Sequence, residues 1–279
     1  ILVVYAISTE QNIAKLFMAA LIPGLMAAVF YIVTIWLVVR RRPDLAPLGP
    51  RVSWAERLHL VLTIWPVMLI AFIVVGGIYG GIFTPTEGAS VGAVAMLLVG
   101  LAQRTLDGPS ILAALRQTAD TTGMIFIILL GSEVFNAFLT LTQLPMNAAE
   151  GISALGLPPH LVLILLLAFY ILLGAVMDEL AMLLLTLPVF FPIVAGLDFG
   201  IPADEVAIWF GILVLIVVGI GLTAPPIGLN VFVISAIARH HSIKRTYGGV
   251  LPYIVADIIR LGLVLAFPAL ALAMVRWLS

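Results

Sequence analysis

Residues 219–230 read Gly-Ile-Gly-Leu-Thr-Ala-Pro-Pro-Ile-Gly-Leu-Asn, in the middle of a run that is apolar from Val206 to Ala238. A regular helix cannot continue through Pro225 and Pro226, because each proline lacks the backbone N–H that a helical carbonyl would accept. In hydrocarbon, non-helical backbone is tolerated only where it is buried in protein or lines a cavity. The stretch therefore predicts a discontinuous membrane helix with exposed carbonyl groups at the break.

The bulk composition places this break in a membrane protein. The 279 residues are 63% hydrophobic and 10% charged, with a mean hydropathy of +1.25, and a water-soluble domain of this composition would leave large apolar areas wet. The apolar runs are long and do not alternate, which predicts helices rather than strands. The net charge of −1 argues against a nucleic-acid partner, and the absence of cysteine excludes thiolate metal sites. The predicted fold class is an all-α polytopic membrane protein.

A second interrupted region precedes the broken helix. Residues 160–196 are apolar but contain Gly174, Asp178 and two prolines, which predicts two shorter helices forming a hairpin around residues 174–179. The hairpin and the broken helix together make residues 160–240 the predicted transport region.

The rest of the chain divides into spans and connections, and residues 1–279 are predicted to form a single transmembrane domain. Residues 109–117 are predicted as a short separate segment and residues 144–159 as a loop. The remaining predicted spans are Leu16–Val39, Leu58–Gly77, Pro85–Ala102, Thr121–Thr140 and Leu251–Met274.

Basic residues are distributed unequally between the predicted loops. Placing residues 40–59, 103–117 and 239–245 on one side collects ten of the thirteen cations there, and the positive-inside rule makes that side cytoplasmic. Residues 40–59 are then a cytoplasmic loop that ends in an amphipathic segment, Trp54–His59. The ten cations are Arg40, Arg41, Arg42, Arg51, Arg57, Arg104, Arg116, Arg239, Lys244 and Arg245; the others are Lys15, Arg260 and Arg276.

The break at residues 219–230 is the first candidate binding site. Secondary transporters build sodium sites from unwound carbonyls in discontinuous helices, so we expect Na⁺ ligands among the carbonyls near Gly221, Thr223 and Pro225. The alternative is a proline kink whose free carbonyls are satisfied by neighbouring hydroxyls or water. The candidate residues are Gly219, Gly221, Thr223, Ala224, Pro225, Pro226, Gly228 and Asn230.

The second candidate is the turn Gly174-Ala-Val-Met-Asp178-Glu179, where two carboxylates interrupt an apolar stretch. An ionisable group at membrane depth is costly unless it is paired or hydrated, which makes a contact with ion or substrate the default hypothesis. The alternative is that Asp178 and Glu179 cap a helix at the turn, and both roles are compatible.

The third candidate is Thr84-Pro85-Thr86-Glu87, which follows two pairs of glycines. Thr84 can be the N-cap, Pro85 the first helical residue and Glu87 the capping-box partner, and a binding role for the segment is equally open. Weaker candidates are Glu133, which can pair with a neighbour, and Asp257 with Arg260, whose spacing suits an internal ion pair.

These elements together resemble the large membrane subunit, DctM type, of tripartite ATP-independent periplasmic (TRAP) transporters. The resemblance covers nearly the whole chain and rests on the order and spacing of Gly81–Glu87, of Gly174–Asp178 followed by Pro188 and Pro192, and of Pro225–Asn230. Lesser similarities are Lys15-Leu-Phe17, Pro23-Gly24, Pro252 and Pro268. One departure is that Ala224 stands where the family pattern usually has threonine before the two prolines, which puts a hydroxyl ligand from this turn in doubt.

The resemblance implies an elevator-type transporter of two inverted repeats in the bacterial inner membrane, coupled to sodium ions and without other cofactors. It implies import of an organic acid anion, such as a C4-dicarboxylate, a keto acid or a sialic acid, which a soluble DctP-type periplasmic binding protein delivers. It also implies a small DctQ-type membrane subunit. The proline-containing segment of the first repeat would lie before Ile1, so that this chain would supply half of the binding site and would not transport alone.

Three other functions remain open at this point. An unrelated ion-coupled transporter would share the broken helix, and a non-transporting structural membrane subunit would share the composition. An intramembrane aspartyl hydrolase would need two acids on facing helices, whereas Asp178 and Glu179 are adjacent and project about 100° apart on a helix. The chain is therefore predicted not to be an enzyme.

Overall fold

A computed structural model describes residues 1–46, 53–237 and 243–278. Every regular element in these ranges is helical. The helices are α1 (Leu2–Ser8), α2 (Ile13–Arg41), α3 (Trp54–Tyr79), α4 (Pro85–Ala102), α5 (Gly108–Thr142), α6 (Leu144–Ala154), α7 (Pro159–Gly174), α8 (Glu179–Ala195), α9 (Ala203–Gly221), α10 (Leu229–Ile237), α11 (Ile243–Ala266) and α12 (Ala269–Leu278), with a 3₁₀ turn at Pro43–Leu45.

The chain forms two compact units, which are described separately. The larger unit contains residues Ile1–Arg42 and Phe126–Ser279, and the smaller contains Pro43–Ile125. Helix α5 contributes residues to both. In the smaller unit α3 packs against α4, and Gly88 of α4 lies against the side chain of Ile78. The hairpin, the broken helix and the final helices all belong to the larger unit.

Helix α9 is the centre of the larger unit. In its most apolar 18-residue stretch 72% of the residues are buried. The helix contacts α1, α2, α7, α8, α11 and α12. Two buried aromatic side chains fix its position through hydrogen bonds: Tyr5 Oη donates to the carbonyl of Ala207 over 2.6 Å, and Trp209 Nε1 donates to the carbonyl of Val264 over 2.9 Å. Burial of a Tyr or Trp tip requires such a partner. The first half of the broken helix is therefore held by helices from both ends of the chain.

Five helices in the described ranges are long and apolar enough to cross a membrane: Ile13–Arg41, Pro85–Ala102, Gly108–Thr142, Ala203–Gly221 and Ile243–Ala266. Shorter apolar segments are Ile64–Tyr79, which is part of α3, and the helices Pro159–Gly174 and Glu179–Ala195. The predicted all-α polytopic class is confirmed. The hairpin of two short helices and the discontinuity after Gly221 are also present as predicted.

The predicted loop at residues 144–159 was wrong, because most of it is helix α6. Pro145 does not prevent the helix, because it occupies the first turn, where its missing N–H would have no intrahelical acceptor. The following residues include Met, Ala and Glu, which are good helix formers. A proline near the start of a segment thus marks a helix start here and not a loop.

Three further boundaries differ from the predicted ones. The separate segment 109–117 and the span Thr121–Thr140 form one continuous helix, Gly108–Thr142, since its polar residues do not break it. The amphipathic segment Trp54–His59 is likewise the start of α3. The predicted span Leu251–Met274 is interrupted between α11 and α12, where Pro268 lacks an N–H to continue the first helix.

An ion pair marks one end of the larger unit. Arg276 of α12 binds Glu205 of α9 through two hydrogen bonds of 2.9 and 2.5 Å, so it lies at the end of the unit that carries the acidic stretch 198–205. The predicted cytoplasmic cations Arg51 and Arg239 lie outside the described residues, as do His240 and His241.

Candidate functional site

The hairpin turn consists of residues 175–178 between α7 and α8. Asp178 is the N-cap of α8, and its Oδ1 accepts hydrogen bonds from the backbone N–H groups of Leu180 (3.0 Å) and Ala181 (3.3 Å). The capping alternative is thus confirmed in its geometry. The side chain is exposed, and among the described residues it forms no ion pair. The negative charge of Asp178 therefore remains available at the turn while one oxygen caps the helix.

The break in the second helix covers residues 222–228. The peptide bond between Pro225 and Pro226 is cis, and Gly228 has φ of +55°. The N–H of Asn230 donates to the carbonyl of Leu222 over 3.1 Å, which ties the start of α10 back to the end of α9. The Thr223 hydroxyl donates back to the carbonyls of Gly219 (3.2 Å) and Ile220 (3.0 Å). The break is an ordered turn whose ends are bonded to each other.

Hairpin turn and break are in direct backbone contact. A methyl group added to Gly221 would lie 2.8 Å from the Cα and 3.0 Å from the carbonyl carbon of Gly174. The N–H of Gly228 also donates to the carbonyl of Ala175 over 3.3 Å. Glycine is required at position 221, because a Cβ atom there would overlap the backbone of Gly174; a Cβ on Gly174 would lie 3.2 Å from the Cα of Gly221, which is a tight contact. Two segments singled out separately in the sequence are thus parts of one structure.

Three carbonyl groups at the break have no hydrogen-bond donor among the described residues: those of Thr223, Ala224 and Pro225. The oxygens of Thr223 and Ala224 lie near each other, at 3.2 and 3.0 Å from the position that a Cβ of Gly228 would take. The carbonyl of Gly221, by contrast, accepts from the N–H of Ala224 over 3.1 Å. Buried or half-buried carbonyls without donors, such as those of Thr223 and Ala224, are uncommon in proteins, and neighbouring oxygens of this kind suit a cation.

Tyr247 of α11 completes the break and was missed in the sequence. Its hydroxyl donates to the carbonyl of Ile227 and lies 3.3 Å from the carbonyl of Pro226. The carbonyl of Ile227 is therefore satisfied, unlike those of Thr223, Ala224 and Pro225. The available signal was a tyrosine in an apolar helix, since its hydroxyl needs a partner, but the sequence does not say which partner.

The segment Thr84–Glu87 lies in the smaller unit and has the predicted capping box. The N–H of Glu87 donates to Thr84 Oγ1 over 3.3 Å, and the N–H of Thr84 donates to Glu87 Oε2 over 2.8 Å. Pro85 is the first helical residue, and the carbonyl of Thr86 accepts from Ser90 Oγ over 3.2 Å. The capping prediction is confirmed, and a binding role for this segment stays a prediction.

The weaker candidates have different surroundings. Arg260 Nη2 lies 2.9 Å from Asp257 Oδ1, which confirms the predicted ion pair. Tyr31 of α2 also donates to Asp257 Oδ2 over 2.7 Å, so the pair joins α2 to α11. Glu133 is exposed on α5. We assign the ion pair a structural role, because both charges are used within the protein.

Comparison with known proteins decides the family. The family model described as "Tripartite ATP-independent periplasmic transporter, DctM component" matches residues 1–270. This chain belongs to the DctM family. The prediction made from the three sequence segments is therefore confirmed.

Individual DctM relatives cover the chain almost completely. It is 34% identical to the C4-dicarboxylate TRAP transporter large permease protein DctM of Pseudomonas aeruginosa, over 100% of this chain and 64% of that protein. It is 29% identical to the sialic acid TRAP transporter large permease protein SiaM of Vibrio cholerae, over 97% of this chain and 62% of that protein. It is 31% identical to the ectoine TRAP transporter large permease protein TeaC of Halomonas elongata, again over 97% and 62%.

The comparisons also give the coverage of the relatives and the class of protein. The chain spans just under two thirds of the length of these three relatives. The family is one of transporter permeases, which agrees with the prediction that the chain is not an enzyme. A multi-pass membrane protein is expected from the family and is consistent with the five apolar spans.

Proposed function

We propose that the chain is the membrane-embedded permease part of a secondary transporter that imports a small organic acid anion together with Na⁺. The observation that carries the proposal is the group of three carbonyls without hydrogen-bond donors among the described residues at the break, beside the hairpin turn. Family membership supports a transport function. Coupling to sodium and the identity of the solute are proposed on chemical grounds.

The ion would bind at the carboxyl end of α9. The aligned peptide dipoles give this end a partial negative charge, and the carbonyl oxygens of Thr223, Ala224 and Pro225 are neutral ligands of the kind that hold Na⁺ in discontinuous helices. The Thr223 hydroxyl donates its proton to the helix, which leaves its oxygen lone pairs free for a cation. These oxygen ligands therefore suit Na⁺. They differ from the predicted ligands at one residue, because the carbonyl of Gly221 already accepts a hydrogen bond.

The solute class follows from the names of the relatives. Those that name C4-dicarboxylate, sialic acid and 2,3-diketo-L-gulonate name carboxylic acids. Helix α10 begins at the break, and its amino end carries the partial positive charge that suits a carboxylate. We propose an organic acid anion as the solute, with Gly174, Asp178, Gly219 and Asn230 bordering its path.

The proposed assembly comprises a small membrane subunit of the DctQ type and a periplasmic binding protein of the DctP type. We further propose an elevator-type movement of two inverted repeats, with residues 160–240 in the moving part, and a location in the bacterial inner membrane. The family description supports these proposals because it names a tripartite periplasmic transporter.

The sodium site is tested by restoring the missing backbone donors. Pro225→Ala combined with Pro226→Ala supplies two N–H groups and allows the helix to re-form across the break, so the carbonyl ligands should be lost. The purified full-length permease should be stabilised by Na⁺, by about 2.7 kcal/mol when the ion is at 100 times its Kd. The double variant should lose most of this stabilisation, measured as the difference in Tm between Na⁺ and choline buffers.

Thr223→Val is the comparison variant, because it removes the hydroxyl and leaves the carbonyls. A small decrease in the sodium-dependent Tm shift is expected from it. If the double alanine variant responds to sodium as the parent does, the break is a structural kink and the proposed ion site is wrong.

Asp178 is tested with two substitutions that separate charge from capping. Asp178→Asn keeps an oxygen for the N–H groups of Leu180 and Ala181, so stability should not change, whereas Asp178→Ala should cost about 1 kcal/mol. We expect both to reduce solute uptake into vesicles containing the complete transporter at least tenfold, on the order of the effect of losing one functional charge. Full uptake by the Asn variant would reduce Asp178 to a cap.

Orientation is tested with single cysteines in a chain that otherwise contains none. Ala46→Cys lies among the proposed cytoplasmic cations, and Ala203→Cys lies beside the acidic stretch at the opposite end of the membrane. A membrane-impermeant thiol reagent added to spheroplasts should label only the cysteine at position 203. Labelling at position 46 alone would invert the proposed orientation.

A further inference from the structure

Helices α2 and α11 of the larger unit enclose an apolar groove of about 500 Å³. Its walls include Val33 and Leu37 of α2 and Leu251 and Val255 of α11, and all four side chains are exposed to the groove and its surroundings. The helices run antiparallel, because Pro23 lies beside Arg260 while Tyr31 lies beside Tyr253. The groove therefore follows the helix axes and opens towards the start of α11.

A cation lies at that end of the groove. Arg41, in the last turn of α2, is part of the lining, is exposed and has no acidic partner among the described residues. Its neighbour Arg40 differs, since that guanidinium rests over the ring of Trp36 at 5.1 Å and faces another surface. Only one of these two adjacent arginines is thus directed to the groove.

A second cation follows on the same face of α11. Lys244 precedes Leu251 by seven residues, and Val255 follows Leu251 by four, so the three share one helix face. Lys244 is exposed and lies about 10 Å beyond Leu251 along the axis. The surface is thus apolar along the span and becomes positive where the span ends.

We infer that this groove binds an anionic phospholipid, with an acyl chain between α2 and α11 and the headgroup phosphate held by Arg41 and Lys244. Basic pockets between membrane helices on the cytoplasmic side are suited to anionic headgroups. A free phosphate would use the cations and leave the apolar walls unused. The charge and the apolar length together select a lipid.

The lining of the groove suits a hydrocarbon chain. All of its residues are apolar except Thr34 and Arg41, so the walls offer few hydrogen-bond partners to a polar occupant. A flexible hydrocarbon chain needs no such partners and can follow the groove between the two helices.

The proposal is tested on the purified full-length permease in a neutral detergent. Phosphatidylglycerol should raise Tm with saturation, phosphatidylcholine should have a much smaller effect, and inorganic phosphate should have none. Arg41→Gln combined with Lys244→Gln should weaken the apparent affinity for phosphatidylglycerol roughly 30-fold, given the usual contribution of two basic residues at a membrane surface. Lipid retained through native mass spectrometry gives an independent readout.

Two further variants keep the test decisive. Arg40→Gln removes an adjacent cation that faces another surface and should leave lipid affinity unchanged. Val255→Phe keeps both cations, fills the groove at an exposed position and should weaken binding as strongly as loss of the charges. Unchanged affinity in the Arg41 and Lys244 variant would overturn the proposal, as would stabilisation by phosphate alone. A cross-link from a cysteine at position 255 to a small membrane subunit would also overturn it, because a protein would then occupy the groove.

Discussion

Replacing Gly221 with alanine is expected to abolish transport, because the added methyl group would lie 2.8 Å from the Cα of Gly174 and 3.2 Å from the carbonyl oxygen of Ile171. Both atoms are backbone, so no side chain can rotate to relieve the overlap. The hairpin turn must move away from the break, and the hydrogen bond from Gly228 to Ala175 would be lost with it. Overpacking of this kind costs about 1–3 kcal/mol, which should appear as a lower Tm of the purified full-length permease.

Gly262→Ala is the matched control for this variant. Gly262 lies in α11 of the same unit, outside the proposed site, and nothing lies within 4 Å of the position that its Cβ would take. It should keep both the parent Tm and the parent uptake rate. Normal uptake by Gly221→Ala would show that close contact between the two segments is unnecessary for function.

Gly228→Ala is expected to eliminate the Tm difference between Na⁺ and choline buffers. It should also lower the Tm of the protein in both buffers. At φ of +55° a residue with a Cβ is strained by roughly 1–2 kcal/mol. The new methyl group would also lie 3.0 Å from the carbonyl oxygen of Ala224 and 3.2 Å from that of Thr223. It would lie beside both oxygens, so it would hinder a cation from binding to them.

Gly200→Ala separates the two effects. Gly200 has φ of +71°, and nothing lies within 4 Å of its Cβ position, so alanine there introduces backbone strain alone. Both variants should lower Tm, and only Gly228→Ala should lose the Tm difference between Na⁺ and choline buffers. An equal sodium response in the two would place the ion away from these carbonyls.

The features predictable from sequence are those with a local cause. The adjacent Pro225 and Pro226 remove two successive backbone donors and so break a helix locally, and the Thr84 to Glu87 spacing defines a capping box without reference to the rest of the chain. A charged residue such as Asp178 in an apolar run also identifies a turn. These signals were sufficient for the all-helical class, the hairpin, the break and the family.

What could not be predicted depends on contacts between distant residues. No local pattern states that Gly174 meets Gly221 or that Tyr247 donates to Ile227, because the packing of helices against each other decides both. Proline shows the related difficulty that one residue type occurs in different settings. Pro145 lies in the first turn of α6, Pro188 and Pro192 lie within α8, and Pro225 and Pro226 lie in the break between α9 and α10. Which carbonyls at the break lack donors likewise depends on where Tyr247 lies.

The glycine contact between hairpin and break has a thermodynamic consequence. With no side chains between the two backbones, a shift of one segment cannot be absorbed by rotamer changes and must pass to the other. An ion that orders the break would then also order the hairpin turn, and linkage requires the effect to be reciprocal. Sodium should therefore increase the affinity for the solute by the same factor by which the solute increases the affinity for sodium. Calorimetric titrations of each ligand, with and without the other, measure both factors.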